Sequence, residues 1–185
     1  MMLKVYSMSL SCRTQVVALR PPNHLALAGA AFIGVAQLTT AFAKDLPAKA
    51  VRLSDAEVRA LYEGNTWNQK DECCGFYFAS DGTFIAIGRI PGKGDLVHGA
   101  GKWAVDEDKM CMVGTWTNKA GSGTHEECFI HAKADGTIYK NRSNGKKSDW
   151  WFFRQAKPNP ADEANRVKPG DSVTPRVNAF KATIG

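Results

Sequence analysis

None of the short motifs that mark common catalytic or nucleotide sites occurs in this 185-residue chain. Without G-x-S-x-G there is no strained strand-to-helix elbow to expose a serine nucleophile. Without G-x-x-x-x-G-K-[ST], Gly92-Lys93-Gly94 reads as a flexible turn and not as a phosphate cradle. Cys-x-x-Cys is absent as well, and no βαβ pattern surrounds a cysteine, which excludes a thioredoxin-like site. No apolar run reaches the roughly 20 residues of a spanning helix. The first 43 residues contain no acidic side chain at all.

That last absence belongs to a three-part pattern. Lys4, Arg13 and Arg20 form a basic start, an uncharged stretch runs from Pro21 to Ala43 around an apolar heart at Leu25–Val35, and Ala41-Phe42-Ala43 precedes Lys44. Such a pattern is a secretory signal peptide, cleaved after Ala43, and it places the mature protein in the periplasm or outside the cell. An uncleaved anchor is the competing reading. Translation from Met1, Met2 or Met8 gives the same mature product, which has no spanning segment. Cys12 lies too far upstream for a lipoprotein. Removing three of the 24 Lys/Arg leaves 21 against 18 Asp/Glu, so the net charge falls from +6 to +3. Much of the remaining excess sits beyond Gln155, and a nucleic-acid partner is not expected.

The mature chain divides into a domain over 44–154 and a tail over 155–185. Ser54 and Glu57 have the spacing of a capping box, and Leu53, Val58, Leu61 and Tyr62 make the apolar stripe of a short N-terminal helix that stops at Gly64. From Asn65 onward, short apolar runs are cut by turn residues about every ten positions, the pattern of an antiparallel β protein. About eight strands are expected between Thr66 and Arg154, as an up-and-down meander closed into a small, lipocalin-like barrel or curled into a sheet.

Turn residues set the register. Asp81-Gly82 as a two-residue turn puts Phe78 opposite Ile85 and Phe76 opposite Ile87. Asp106–Lys109 pairs Trp103 with Met112 and Val105 with Met110. Asp135-Gly136 and Asn144-Gly145 make two further hairpins, the last pairing Tyr139 with Trp150 and Ile138 with Trp151. Both faces of the Phe76–Ile87 and Tyr139–Phe153 hairpins are apolar. An outer cover is therefore needed, supplied by the N-terminal helix or by a partner protein. Pro158, Pro160, Pro169 and Pro175 punctuate the tail, which has few large apolar residues and reads as loosely ordered.

Four cysteines follow the cleavage point, and they allow three connectivities. A loop centred on Lys119-Ala120 sets Cys111 opposite Cys128, close enough for a bridge that contributes about 3 kcal/mol in the chain-entropy model. Cys73 and Cys74 form a second, vicinal disulfide or remain labile thiols. His125, Cys128 and His131 look like a metal cluster. On a strand, however, the two histidines lie about 20 Å apart with Cys128 on the reverse face, so surface histidines are expected and no metal. His98 has no visible partner. Asp106-Glu107-Asp108 lacks the ligand spacing of a calcium loop. Trp67, Trp103, Trp116 and Trp150, with Trp151, either line a ligand cavity or pack the core.

Leu53-Ser54-x-x-Glu57-x-x-x-Leu61-x-x-Gly64-Asn65-Thr66 is followed by Tyr77-Phe78-x-x-Asp81-Gly82-Thr83, Gly101-Lys102-Trp103-x-Val105, Met110-Cys111, Cys128-Phe129 and Gly136-x-x-Tyr139. In this order the residues resemble the family named domain of unknown function 995, over about Leu53–Phe153. The resemblance implies a small exported protein of alphaproteobacteria, and the Cys111–Cys128 pair fits its pattern while Cys73-Cys74 does not. It implies no activity, cofactor or site residue. The expected function is a non-catalytic binding module for an envelope component or a protein partner. A lipocalin-like carrier of a small apolar ligand and an uncharacterised hydrolase acting through His98, His125 or His131 are the alternatives. No cofactor is expected.

Overall fold

The computed structural model describes residues 45–90, 92–144 and 149–184. The leader with its cleavage point, and Gly145 of the last expected hairpin, lie outside the described residues.

After the short strand β1 (Val51–Arg52), helix α1 (Asp55–Tyr62) starts at Ser54, whose hydroxyl accepts from the Glu57 N–H at 3.4 Å. The Glu57 carboxylate accepts in return from the Ser54 N–H at 3.0 Å. Val58 and Tyr62 point into the core from this helix. Eight strands follow between Thr66 and Arg154: β2 (Asn65–Asn68), β3 (Gly75–Phe78), β4 (Thr83–Arg89), β5 (Leu96–Asp106), β6 (Lys109–Asn118), β7 (Gly121–Ala134), β8 (Thr137–Arg142) and β9 (Trp151–Arg154). A 3₁₀ turn (Glu163–Arg166), strand β10 (Val167–Pro169) and helix α2 (Thr174–Ile184) complete the chain. Nine strands form one antiparallel path, β10-β2-β3-β4-β5-β6-β7-β8-β9, and β1 pairs with β7 beyond the start of β6. The sheet curls into a half-barrel. Its end strands β9 and β10 are not hydrogen-bonded to each other, and the 3₁₀ turn packs against both.

Tight turns fix the central registers. Glu107 and Asp108 both have positive φ, 47° and 62°, the turn geometry that matches strand twist, and Trp103 meets Met112 as expected. Asp135 and Gly136 turn in the same way. The Lys119-Ala120 loop brings Cys111 opposite Cys128 with their Cα atoms 4.0 Å apart, and the two are bridged.

Three expectations are corrected. At Asp81-Gly82 the loop holds three residues, because the Asp81 carboxylate accepts from the Thr83 N–H at 2.8 Å and from its hydroxyl at 2.6 Å. Gly82 takes φ +77°, and the strands resume at Ala79 and Thr83. Phe78 therefore meets Phe84, and Phe76 meets Ala86. A one-residue slip exchanges faces: Phe84 and Ala86 join the inner core, while Ile85 and Ile87 turn outward. The last hairpin is displaced by two residues, with Tyr139 opposite Phe152 and Lys140 opposite Trp151, and a bulge sets Ile138 against Arg154. The tail is not loose: β10 extends the sheet beside β2, and Val173 and Val177 of the α2 region are fully buried.

The tail also supplies outer cover that was expected from α1 or from a partner protein. Val173, Val177 and Phe180 pack on Ile87, Ile85, Tyr77 and Leu96. Leu46 and Ala50 pack with Ile130, Ala132, Tyr139 and Trp150 on the outer face of β7–β9. Helix α1 faces the inner core instead, with Phe78, Trp103, Met110 and Phe153.

The Cys111–Cys128 bridge closes a loop of 17 residues in sequence separation, so the Cys111→Ser, Cys128→Ser variant should unfold at lower urea concentration, by about 3 kcal/mol, with an unchanged far-ultraviolet spectrum.

Candidate functional site

Alternation along β8 turns Ile138 and Lys140 inward, and Lys140 ends fully buried. Its ammonium lies 3.6 Å from the centre of the Trp67 ring and 4.1 Å from that of Phe129, with Tyr62, Phe153 and Trp151 within 5.9 Å. Nζ donates to Glu163 Oε1 at 2.8 Å. Glu163 Oε2 accepts from the Trp151 indole at 2.7 Å, and Arg166 approaches at 3.7 Å. Burial lowers the Lys140 pKa, and Glu163 opposes that shift. Taking two ions out of water costs several kcal/mol each. Ring faces contribute about 2 kcal/mol when desolvated, so the carboxylate is needed as well as the cage.

A second buried pair stands beside it. The Tyr62 hydroxyl and His131 Nε2 share a hydrogen bond of 2.8 Å, and His131 Nδ1 has no partner among the described residues. Burial, followed by the charges of Lys140 and Arg52, holds the His131 pKa well below the usual histidine value, while burial raises that of Tyr62. These groups are enclosed by Phe153 and Phe78, and the pair acts as an internal polar anchor.

The structure separates the residues singled out from the sequence. His131 was expected at the surface and is wholly buried. His125 sits half-buried further along β7, opposite Gly114. His98 lies on the outer face against Phe180, its pKa lowered by burial and then by Lys181. Cys111 and Cys128 are bridged, and so are Cys73 and Cys74. Either cysteine pair stands beside a carboxylate, Glu126 or Asp71, but bridged sulfurs offer no thiolate to a metal. Trp67 and Trp103 pack within the inner core, and Trp116 lies at its edge over Gly99, where a Cβ would sit 2.8 Å from the indole. Trp150 packs in a separate cluster with Ile130, Ala132 and Tyr139. Lys140, Glu163 and Tyr62 went unnoticed in the sequence as a site.

An accessible groove of about 550 Å³ lies between α1, β1 and the β7–β8 turn. Val51, Leu53, Ala60, Leu61 and Ile138 provide its apolar lining, and Val51 is 56% exposed. Of the charges along it, Lys133 is paired with Glu57 and Lys49 with Asp135. The Lys133 contact, and then Ser54, hold Glu57 down to a pKa of about 2. Arg154, exposed at the end of β9, has no acidic partner among the described residues. It also lines a second hollow formed with Gln155, Pro158 and Ala164, so the groove continues past it.

A family model described as protein of unknown function (DUF995) matches residues 27–173. No curated protein and no solved structure matches the chain.

Lys140→Met strips the buried Glu163 of its close cation, leaving it Trp151 and the longer Arg166 contact, and should cost about 3 kcal/mol in urea unfolding; Lys140→Met with Glu163→Leu should cost less than the sum of the single changes. A second test concerns pH. The unfolded chain takes up a proton at His131 near pH 6.5 that the folded protein refuses. Stability should therefore fall as the pH drops below about 6.5, by up to about 1.4 kcal/mol per unit from this group. His131→Gln should flatten the curve between pH 6.5 and 5.

Proposed function

The chain belongs to the DUF995 family, and from that premise we propose that it is an exported, non-catalytic binding module of the cell envelope whose ligand lies in the groove between α1 and the β7–β8 turn. The basic leader ending in Ala41-Phe42-Ala43 supports export, as do cysteines placed to bridge in an oxidising compartment. The observation that carries the binding reading is Arg154, without an acidic partner among the described residues, beside an apolar lining whose other charges are already matched. An anionic amphiphile fits both halves of that surface. Its apolar body covers Val51, Ala60, Leu61 and Ile138, and its carboxylate or phosphate meets the guanidinium.

The carrier alternative, with an apolar ligand inside the sheet, would have to displace the Lys140–Glu163 pair and its rings from the middle of the core. A groove ligand displaces nothing. Hydrolysis through His98, His125 or His131 gains no support: they stand apart on β5 and β7, and the hydroxyl that meets His131, that of Tyr62, is buried with it out of reach of a substrate.

Displacement of a fluorescent long-chain fatty acid, cross-checked by native mass spectrometry, tests the reading. Long-chain carboxylates should bind. Arg154→Gln should weaken them about tenfold, the equivalent of one 1.4 kcal/mol charge-assisted contact, without weakening the matching alcohol. Ala60→Glu, on an exposed helix position, should abolish binding without lowering the melting temperature. No binding, or binding indifferent to both changes, overturns it.

A further inference from the structure

Cys73 and Cys74 lie in the β2–β3 loop, away from the groove, and are joined to each other. The Cys111–Cys128 bridge has a sequence separation of 17, whereas this one has a separation of 1. A bond between neighbours closes no loop and removes almost no freedom from the unfolded chain, so stability does not account for it. The two sulfurs differ in access. Cys74 is 3% exposed, while Cys73 is only half-buried. The bond sits on the turn that the Cys74 N–H closes onto the Asp71 carbonyl, so opening it frees that turn to change shape.

That loop is tied to the rest of the fold by side chains from elsewhere. Arg89 on β4 donates to the Asp71 carboxylate at 2.7 Å. Arg176 of α2 donates from Nη1 to the Glu72 carbonyl and from Nη2 to Asn68 Oδ1, both at 3.0 Å, while its Nε holds the Ser172 carbonyl at 2.8 Å. Within the loop, the Cys74 N–H donates to the Asp71 carbonyl and the Gln69 N–H to the Cys74 carbonyl, both at 3.0 Å. The Asp71 carboxylate beside the two sulfurs is matched by Arg89, and Arg176 brings a second guanidinium to the same loop through Glu72 and Asn68. One residue along the α2 helix, Val177 is buried against Ile87.

We propose that Cys73–Cys74 is an exchangeable disulfide that reacts with a protein dithiol, and that Arg176 transmits its state to the docking of α2. A thiolate of the dithiol attacks Cys73 Sγ, the accessible sulfur. The Cys73–Cys74 bond breaks, and Cys74 leaves as a thiolate that takes a proton from water. The second thiol of the dithiol, deprotonated, then attacks its own sulfur in the mixed disulfide and releases Cys73. Two electrons and, on balance, two protons pass to the cysteine pair, and the dithiol becomes a disulfide. Reduction loosens the loop and with it the Glu72 and Asn68 contacts that hold Arg176. The reverse exchange with an oxidised dithiol restores both.

The test uses the mature protein in graded mixtures of reduced and oxidised dithiothreitol, trapped with N-ethylmaleimide and read by peptide mass, with hydrogen exchange followed in parallel. Cys73 and Cys74 should become alkylated at a dithiol ratio at least tenfold lower than Cys111 and Cys128. Over that same range the amides of Thr174–Ile184 should exchange faster while those of β6 and β7 stay protected. The Cys73→Ser, Cys74→Ser variant should show the fast α2 exchange without any dithiol. Simultaneous opening of both bridges, free thiols at Cys73 and Cys74 in fully oxidised protein, or α2 exchange that ignores the state of the pair would each overturn the proposal.

Discussion

A lysine buried among five aromatic rings is tolerable only with a carboxylate against it, and in this fold that carboxylate comes from beyond the last strand of the meander. Glu163 reaches Lys140 from the 3₁₀ turn that lies between β9 and β10, where the curled sheet fails to close on itself. One ion pair thus determines where the chain must go after Arg154. Once Glu163 is in place, β10 follows directly and pairs with β2, and the Thr66 hydroxyl donates to the Gly170 carbonyl at 2.7 Å. The chain then emerges on the outer face, where α2 covers Ile87 and Tyr77. What bridges the open side of the half-barrel is a side chain and a short turn, in place of a ninth row of backbone hydrogen bonds along that path.

The same pair settles where chemistry is possible. A curled antiparallel sheet invites a ligand inside, but here the interior is occupied by Lys140, Trp67, Phe129 and Tyr62. The Tyr62–His131 hydrogen bond occupies the neighbouring layer. The groove beside Arg154 and the Cys73–Cys74 loop both lie outside that packed interior. Both depend on the tail being docked, since Arg154 leads into the segment that carries Glu163, and Arg176 belongs to α2.

Legibility in the sequence followed the turns. Where two residues connect two strands, as at Lys119-Ala120 and Glu107-Asp108, the register can be read directly, and the Cys111–Cys128 pairing follows from it. Where a side chain adds a residue to the loop, as the Asp81 carboxylate does for Thr83, the same reading slips by one and sends Ile85 and Ile87 to the wrong face. The tail looked loose because of its prolines, yet Val173, Val177 and Phe180 already had helical spacing, a stripe too short to stand out. The site was the least legible part. On a strand, Lys140 between Tyr139 and Asn141 has the look of a solvent-facing position, and Glu163 lies 23 residues away in a segment without periodicity. Arg154 was visible as a residue, but that no acidic side chain among the described residues meets it is a property of the folded surface.

Stability alone is a poor reason for such a pair, since an apolar couple of similar volume would hold β8 and the 3₁₀ turn together without the desolvation cost. Position is the better reason. An apolar contact between the tail and the rim of the sheet would tolerate sliding by a residue in either direction. A lysine that is isolated unless Glu163 faces it does not. Trp151 narrows the choice further, because its indole N–H requires the second oxygen of the same carboxylate. Arg166, one turn on, takes up the remaining charge at the surface side. The ion pair therefore selects a single docking of residues 155–184. Every surface feature that depends on that docking, Arg154 at the groove and Arg176 at the cysteine loop included, inherits its position from a lysine that never meets solvent.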